Sequence, residues 1–424
     1  MRVNGKQHRI RVGRYTAALL LMITGTLLII DEVQGSEYML LLLKWWPLIA
    51  IMWGVESILI YLWRSEKGNG STIRLDVKGL SLSILLTASV FIVTQQEHYL
   101  YLWNKVSLNL TASAVDYSEQ DGAEFNKEDQ VIPVALDSEN IKINNINGDI
   151  LLHREPIDNI QVSTKVWIDQ ITGPEREDVF EQSLLEVTEG KTINIMASGK
   201  AYGQSGKRQP RMNLDIALPE NRRFNLEVQT MNGNIKLVNV NAIENISLKS
   251  ANGKLELYNV LGNVKGETSN GIVRTSKVEG NVEITSNQGN MEATDISGTL
   301  KLSTQVGNIS AIRAHNDVDI RTKNGNIYAS QPEKKLKIES LNGGISVYSH
   351  QIGGDWDIYS AVGVMNLHLP LEANYKLKGS IAFGNIISSI PAFTIENKTI
   401  YGTVGEGEYD IRVEGNSDLN VNSF

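Results

Sequence analysis

Six glycines recur at a constant interval of eighteen residues, and this period constrains the fold of the chain more than any other feature. They are Gly253, Gly271, Gly289, Gly307, Gly325 and Gly343. A fixed period of this length is typical of a solenoid, in which each repeat is one turn of backbone that buries its apolar face only by stacking on its neighbours. The period therefore predicts a stack of similar coils.

Residues eighteen apart keep their chemical type through the repeats, so they form columns. Hydroxyl residues stand three positions before the glycines: Ser250, Thr268, Ser286, Thr304, Thr322 and Ser340. Apolar residues stand two positions after them: Leu255, Val273, Met291, Ile309, Ile327 and Ile345. Apolar and charged positions alternate, which indicates strands with one face in a core and one in water. We interpret the hydroxyl column as structural, because Ser and Thr near a corner hydrogen-bond locally and to the next rung.

Asparagine precedes most of the repeat glycines, as at Asn252, Asn270, Asn324 and Asn342. The Asn-Gly pair tolerates positive φ and so allows the strand to bend. It is also a hairpin signal, and an antiparallel meander of short hairpins is the alternative fold. In a meander, each strand pairs with its neighbour in the sequence. Residues eighteen apart would then not be in contact, and their types would not need to match. The sequence therefore favours the solenoid.

The first hundred residues have a different pattern. Three apolar stretches with aromatic residues near their ends, residues 15–30, 39–63 and 79–94, predict membrane-spanning helices. Lys and Arg concentrate in the N-terminal tail and in the loop after the second stretch. This bias predicts a multi-pass cell-membrane protein whose C-terminal domain is extracytoplasmic. Glu56 lies inside the second stretch, either as a functional carboxylate or, as we favour, as a group bonded to Ser57 or a neighbouring helix.

The predicted fold class is an all-β solenoid, parallel β-helix-like with about 18 residues per coil, preceded by a three-helix transmembrane region. The transmembrane region is predicted over residues 1–96 and a linker over 97–140. An N-terminal coil with a capping insertion is predicted over 141–222, and it includes a short helix between Pro174 and Val187. The solenoid follows over 223–424, with the polar tail beyond Gly405 as its C-terminal cap.

Composition and motif searches predict no chemical site. The chain has no cysteine, which excludes disulfides, thiolate metal sites and cysteine nucleophiles. Its net charge of −8 argues against nucleic acid as a partner. Two aspartate pairs, Asp317 with Asp319 and Asp355 with Asp357, lack a recurring basic partner. The scattered histidines lack the spacing of metal ligands: His98, His153, His315, His350 and His368. We therefore expect no catalytic residue, no cofactor and no bound metal, and we expect that the protein is not an enzyme.

Two resemblances to known families rest on short motifs. The Asn147-Gly148-Asp149-Ile150 unit, the Leu218-Pro219 step and the repeated Asn-Gly-x-Ile coils resemble the DUF4097 family of bacterial β-helical domains, also called the putative adhesin family, over residues 141–413. The segment Lys44-Trp45-Trp46-Pro47-Leu48-Ile49 is similar to the membrane segment of envelope-stress regulators of the cell-wall-active antibiotic response type. The first resemblance implies no established catalytic residues.

The expected function is that of a membrane-anchored, extracytoplasmic β-solenoid acting as a non-catalytic binding, adhesion or envelope-sensing module. Its expected partners are the membrane itself and either cell-envelope polymers or a membrane signalling protein, with no nucleic acid. One alternative is a polysaccharide-active β-helix enzyme, which requires acidic or basic side chains that converge in a groove. The other is a polymerising scaffold that resembles the bactofilins, whose coils stack end to end.

Overall fold

The computed structural model describes residues 11–12, 16, 18, 22, 26, 56, 74–75, 116–120, 122–204 and 206–424. The chain divides into two compact units, residues 1–107 and residues 108–424. In the first unit, two short strands pair in parallel, β1 (Arg11–Val12) and β2 (Arg74–Leu75).

The predicted transmembrane region needs correction. The stretches 15–30, 39–63 and 79–94 lie outside the described residues except at five positions. Across the residues that the structure does describe, no helix has the length and the apolar character needed to cross a membrane. A span needs about 20 apolar residues, whereas the helix α1 (Pro174–Gln182) has nine residues and carries acidic side chains in its first turn. This finding contradicts the three-helix transmembrane region and the multi-pass membrane localisation derived from it.

The second unit is built from strands, with α1 as an insertion. Its N-terminal strands are β3 (Asp116–Tyr117), β4 (Ala123–Asn126), β5 (Gln130–Ile132), β6 (Asn140–Asn147), β7 (Ile150–Glu155), β8 (Ile160–Ile168), β9 (Leu184–Thr188), β10 (Thr192–Ser198), β11 (Arg208–Gln209) and β12 (Arg211–Pro219). The regular strands are β13 (Asn225–Asn232), β14 (Ile235–Val238), β15 (Asn241–Asn252), β16 (Leu255–Asn270), β17 (Val273–Glu279), β18 (Val282–Gln288), β19 (Met291–Ile296), β20 (Leu300–Val306), β21 (Ile309–Ala314), β22 (Val318–Asn324), β23 (Ile327–Pro332), β24 (Leu336–Asn342) and β25 (Ile345–Tyr348). The C-terminal strands are β26 (Trp356–Ser360), β27 (Met365–Leu369), β28 (Tyr375–Ile381), β29 (Ile386–Ser388), β30 (Phe393–Glu396), β31 (Thr399–Val404), β32 (Tyr409–Gly415) and β33 (Leu419–Ser423).

Strands pair with the strands one coil away, as a solenoid requires. β18 pairs in parallel with β16 and β20, and the pairing sets Val282 against Leu300. β19 pairs in parallel with β17 and β21 in the same way. The β-solenoid prediction is therefore confirmed and the hairpin meander is excluded. We call the ladder that contains β18, β20, β22 and β24 sheet A, and the ladder that contains β19, β21, β23 and β25 sheet B.

The core lies between the two sheets and is filled by the predicted apolar columns. Val282, Leu300 and Val318 from sheet A and Met291 and Ile309 from sheet B are all buried. Burial of about 25 cal/mol for each Å² of apolar surface stabilises every coil only while its neighbours are present. The stack therefore depends on continuous contact along its length.

The chain order inverts at both ends of the stack. At one end, β6 lies between β10 and β13, and β7 lies between β12 and β14. At the other end, β32 lies between β26 and β28, and β33 lies between β27 and β29. The prediction that the tail beyond Gly405 is the terminal cap is thus wrong. The tail forms an internal coil, because the alternating apolar residues of β32 and β33 are buried on the core: Ile411, Val413, Leu419 and Val421.

Antiparallel strands cover the outer coils. β31 pairs antiparallel with β28 and also with β30 at the C-terminal end of sheet A. β9 pairs antiparallel with β10 at the N-terminal end, and it begins where the helix predicted between Pro174 and Val187 was expected to continue. Pairing with β10 competes with the helical propensity of Leu184 to Val187, and α1 therefore ends at Gln182.

Candidate binding faces of the solenoid

The paired aspartates do not form a catalytic cluster. Asp319 makes an ion pair with Arg321 of its own strand, with an oxygen–nitrogen distance of 2.8 Å. Asp317 and Asp355 each accept a backbone N–H from an adjacent coil, and Asp357 is exposed. Within the described ranges, no group of three or more His, Asp or Glu residues is close enough to hold a metal ion. Asp317 and Asp355 therefore link neighbouring coils, and Asp319 is paired within its own strand.

The four histidines that the structure describes each have a separate, local contact. His153 lies beside a carboxylate of a neighbouring strand, and His315 lies beside a carboxylate of the next coil. His350 contacts an aromatic ring, and His368 stacks on a tyrosine. His98 lies outside the described residues. These contacts give the histidines structural roles in different parts of the fold.

Glu56 is buried and hydrogen-bonded to a distant segment of the chain. One carboxylate oxygen accepts the backbone N–H of Thr16 at 2.9 Å and the Thr16 hydroxyl at 2.5 Å. The preferred interpretation was a structural carboxylate bonded within its surroundings, and these bonds support it. Thr16 is thus one partner of Glu56, whereas Ser57 lies outside the described residues.

The hydroxyl column is structural, as predicted. Thr322 Oγ1 donates to the carbonyl oxygen of Gly307 at 3.1 Å, and Ser340 Oγ donates to that of Gly325 at 3.0 Å. All members of the column are buried: Ser250, Thr268, Ser286, Thr304, Thr322 and Ser340. Each of these bonds satisfies a carbonyl at the glycine corner, so the column has no group left to face a ligand.

The outer face of sheet A carries a column of alternating charge. Lys142 Nζ lies 2.9 Å from a Glu227 oxygen, and Lys301 Nζ lies 2.8 Å from a Glu283 oxygen. The column continues in register as Ser247, Lys265, Asp319, Lys337, Asp357 and Arg412. Opposite charges on neighbouring rungs attract, whereas like charges would repel. A shallow depression of about 710 Å³ follows this column, and its charges are largely compensated within the face.

The outer face of sheet B changes character halfway along the stack. Its first column begins with Lys236, Glu256, Arg274 and Glu292, where Arg274 pairs with Glu256 at 3.1 Å. From the next coil onward the same column reads Ser310, Tyr328, Ser346, Asn366 and Asn420. The charges end at β19 and polar uncharged groups replace them.

We define the uncharged patch as two outward columns of β21, β23, β25, β27 and β33: Ser310, Ile312, Tyr328, Ser330, Ser346, Tyr348, Asn366, His368, Asn420 and Asn422. None of these residues is Lys, Arg, Asp or Glu, although such residues make up 21% of the chain. The exposed Arg313 near the end of β21 lies outside these columns and pairs with Asp295.

A second depression, of about 690 Å³, runs along this side of sheet B. The patch residues Ser310, Tyr328, Ser346 and Asn366 line it, and Arg274 and Glu292 line it at the charged coils. The patch therefore lies along an open depression and contains no charged residue.

Aromatic rings form a continuous row within the patch. The Tyr328 and Tyr348 ring centroids are 5.5 Å apart, and Tyr348 stacks on His368 with centroids 4.4 Å apart and ring planes 7° apart. The Tyr328 side chain is 40% exposed. Contact between the rings restricts their rotamers, so the row is a preformed surface.

Asparagine amides border the depression on its other side. The Oδ1 atoms of Asn290, Asn308 and Asn326 each accept a backbone N–H from the following coil, at 2.9, 2.8 and 2.8 Å. Where the chain is described, no protein acceptor lies within hydrogen-bond distance of their Nδ2 atoms. The oxygens orient the amides, and the N–H₂ groups are available to a ligand.

A buried ion pair fixes the N-terminal end, and the sequence pattern gave no sign of it. The Arg208 guanidinium bonds both oxygens of Asp169 at 2.6 and 2.7 Å, and it also bonds Asp116. The Tyr202 hydroxyl donates to Asp169 at 2.7 Å. Burial raises the pKa of the Asp169 carboxyl, but the hydrogen bonds from Arg208 and Tyr202 outweigh burial and bring the pKa well below its usual range. This cluster is structural.

The uncharged patch does leave a signal in the sequence. The third residue after each repeat glycine is Glu256, Arg274 and Glu292 in the early coils, and then Ser310, Tyr328 and Ser346. The loss of charge along that column therefore indicates the patch.

The second corner of each coil has no signature in the sequence. Six non-glycine residues adopt left-handed conformations there, with φ of 53–56°: Asn239, Asn259, Lys277, Asp295, Arg313 and Gln331. Their types differ, so no column of one residue type reveals them.

The chain matches one family model, Toastrack DUF4097, over residues 138–338 and 308–422. The two matches together span most of the solenoid. Among curated proteins, none matches the chain in sequence. The resemblance of residues 44–49 to envelope-stress regulators falls outside the described residues, and these similarities do not show it.

Several solved structures align with most of the solenoid at low identity. A putative cell adhesion protein from Clostridium sporogenes is 14% identical, covers 71% of this chain and 100% of its own, and has a TM-score of 0.18. A putative lipid binding protein from Parabacteroides distasonis is 15% identical, covers 72% and 99%, and has a TM-score of 0.33. A putative adhesin from Bacteroides fragilis is 12% identical, covers 72% and 99%, and has a TM-score of 0.28.

Proposed function

This chain belongs to the Toastrack DUF4097 family, and from that premise we propose that its solenoid is a non-catalytic binding module. The uncharged patch of sheet B is the surface that receives the partner. The partner is an extended polymer, and polymers of the cell envelope are the class that we propose. The observation that carries this proposal is the Tyr328 ring beside a row of free amide donors in one depression, with the rings of Tyr348 and His368 stacked next to it.

The geometry of sheet B supports an extended ligand. Equivalent groups repeat once per coil, at about 4.8 Å, the spacing of neighbouring strands. A ligand that repeats along its own length makes the same contact on successive coils, so several weak contacts add. The charged column of sheet A offers less, because exposed ion pairs such as Lys301 with Glu283 already satisfy one another.

The other two functional classes have less support. An enzyme of the β-helix type needs carboxylates that converge in a groove, whereas Asp317, Asp319 and Asp355 bond within the stack. An end-to-end scaffold needs open terminal coils. The antiparallel strands β9 and β31 lie on terminal coils of sheet A and oppose such growth.

Co-sedimentation of the purified full chain with isolated bacterial cell envelopes tests the proposal. Tyr328→Ala removes an exposed ring of the patch, and we expect about fivefold weaker binding because an aromatic contact contributes about 1 kcal/mol. Tyr258→Ala is the matched control, since Tyr258 is also exposed on sheet B, at 54%, but lies among the charged coils. Equal binding by the two variants would contradict the proposal.

A further inference from the structure

We propose that the partner of the uncharged patch is a neutral polysaccharide that lies along the solenoid axis, with sugar rings against Tyr328 and Tyr348 and hydroxyl or acetamido oxygens against the amides of Asn290, Asn308 and Asn326. This inference rests on the proposed function and adds the chemical class of the ligand. Three properties of the patch lead to it: its lack of charge, its aromatic row and its column of donors.

The lack of charge selects a neutral ligand. A charged group that leaves water costs several kcal/mol unless an opposite charge meets it. The two outward columns that form the patch contain no charged residue. Arg313, the exposed cation of β21, already pairs with Asp295. The net charge of −8 also repels anionic polymers at long range. A neutral chain avoids both costs.

The aromatic row selects a ligand with flat faces that carry C–H groups. Aromatic faces are electron-rich, so they attract the polarised C–H hydrogens of a pyranose ring. Tyr328 and Tyr348 lie in successive coils with centroids 5.5 Å apart, so they can contact successive parts of one chain. Stacking of Tyr348 on His368 holds this ring in place before the ligand arrives. A preformed surface loses little side-chain entropy on binding.

The amide column selects a ligand with regularly spaced acceptors. Asn290, Asn308 and Asn326 follow one another coil by coil, and each Oδ1 is fixed by a backbone N–H. Their Nδ2 atoms therefore present donors at about 4.8 Å intervals in one orientation. Hydroxyl, ring and acetamido oxygens recur along a polysaccharide in the same manner. A polar ligand of this kind satisfies donors that would otherwise depend on water.

Two other polymers fit the patch less well. An extended peptide gains most of its affinity by adding a strand to an open sheet edge, but β21, β23 and β25 are each paired on both sides. A single-stranded nucleic acid also stacks on aromatic rings, yet it needs cations for its phosphates, and the patch contains no Lys or Arg. A neutral polysaccharide can contact the rings and the amide donors of the patch, and it needs neither an open sheet edge nor a cation.

Competition experiments test the ligand class directly. Polysaccharide is extracted from the envelopes that bind the chain and is separated by anion exchange into a neutral and an acidic fraction. We expect the neutral fraction to release the full chain from the envelopes. The acidic fraction and a tryptic digest of envelope proteins are expected to leave it bound. Release by the acidic fraction or by the peptides alone would overturn the inference.

A matched pair of variants tests the donor column. Asn308→Asp keeps the Oδ1 acceptor for the next coil but removes the amide donors, and about tenfold weaker binding to the neutral fraction is expected from loss of the hydrogen bonds. Asn263→Asp makes the same change where Oδ1 accepts the N–H of Asn281 at 3.1 Å, outside the patch. Equal affinity of the two variants overturns the inference. Tyr328→Phe keeps the ring and should retain binding.

The outcomes separate this inference from the proposed function. If envelope binding depends on Tyr328 but only the acidic fraction or the peptides compete, the binding face stands and the neutral polysaccharide is wrong. If binding does not depend on Tyr328, the proposed function and this inference fail together. Circular dichroism of each variant verifies that the solenoid is folded, so that loss of binding is not loss of structure.

Discussion

A single hydrogen atom in place of a side chain allows the coils to stack at the glycine corner. A Cβ on Gly307 would lie 2.1 Å from the carbonyl oxygen of Gly289, and one on Gly325 would lie 2.0 Å from that of Gly307. The Asn-Gly pairs predict that glycine is needed at this corner because the backbone adopts a positive φ. The close approach of successive backbones is the stronger reason, because the obstructing atoms are backbone atoms that cannot rotate away.

Gly307→Ala should therefore destabilise the solenoid through a steric clash. We expect the free energy of unfolding to fall by about 3 kcal/mol more than it does for Gly190→Ala. Gly190 is the control because its φ of 145° resembles the 151° of Gly307, while a Cβ there would meet no atom within 4 Å. Chemical denaturation of both variants measures the difference. Equal losses would show that φ alone requires glycine at this corner.

Asp169→Asn should destabilise the N-terminal end by about 1–3 kcal/mol, because Arg208 loses a charged partner while its ion pair with Asp116 remains. The folded pKa of Asp169 is depressed, so its contribution is present above the unfolded pKa of about 3.9 and is lost as pH falls through the folded pKa. The difference between wild type and variant should be constant near neutral pH and shrink below about pH 4.

Denaturant titrations at pH 7 and pH 3 measure this dependence. Asp178→Asn, on the exposed side of α1, is the control and should change stability by less than about 0.5 kcal/mol at both values. A difference between wild type and Asp169→Asn that grows on acidification would contradict the assigned role of the ion pair.

At the scale of the elements, each strand is stabilised by its pairing with the strands one coil away. Lys301 lies in register between Glu283 and Asp319. Lys301→Glu places three acidic side chains on successive rungs, and we expect a loss of about 1 kcal/mol from repulsion of like charges. Lys301→Gln removes the attraction without adding repulsion and should cost less. Thermal unfolding at low and high salt measures both, and an effect that persists undiminished at high salt would contradict an electrostatic cause.

The repeat elements could be predicted from the sequence, whereas the inverted ends could not. Val282 and Leu300 share a column because eighteen residues separate every equivalent pair. The local sequence pattern around Ile411 would be the same in a terminal coil and in a coil inserted between two others. It therefore does not predict that β32 lies between β26 and β28. Arg208 and Asp169 are likewise 39 residues apart, and only the folded N-terminal end brings them together.

At the scale of the whole solenoid, the structure separates two kinds of surface. Sheet A carries compensated charge along its length, whereas the outward column of sheet B that contains Arg274 and Glu292 has no charged residue from β21 onward. The terminal strands limit growth at the ends, so the sides are the surfaces available to partners. The columns that keep their residue type through the repeats are core and corner residues and therefore predict no binding residue. The residues of the uncharged patch lie in outward columns whose residue type changes from one coil to the next.

Hydroxyl-radical footprinting of tyrosines, with and without the neutral envelope polysaccharide, tests the central claim most directly. The account predicts that the ligand lowers the oxidation of Tyr328 and Tyr348, while Tyr258 and Tyr401, which are 54% and 43% exposed, keep their rates. Protection of Tyr258 or Tyr401 with no change at Tyr328 would contradict the claim that the uncharged patch of sheet B is the binding surface.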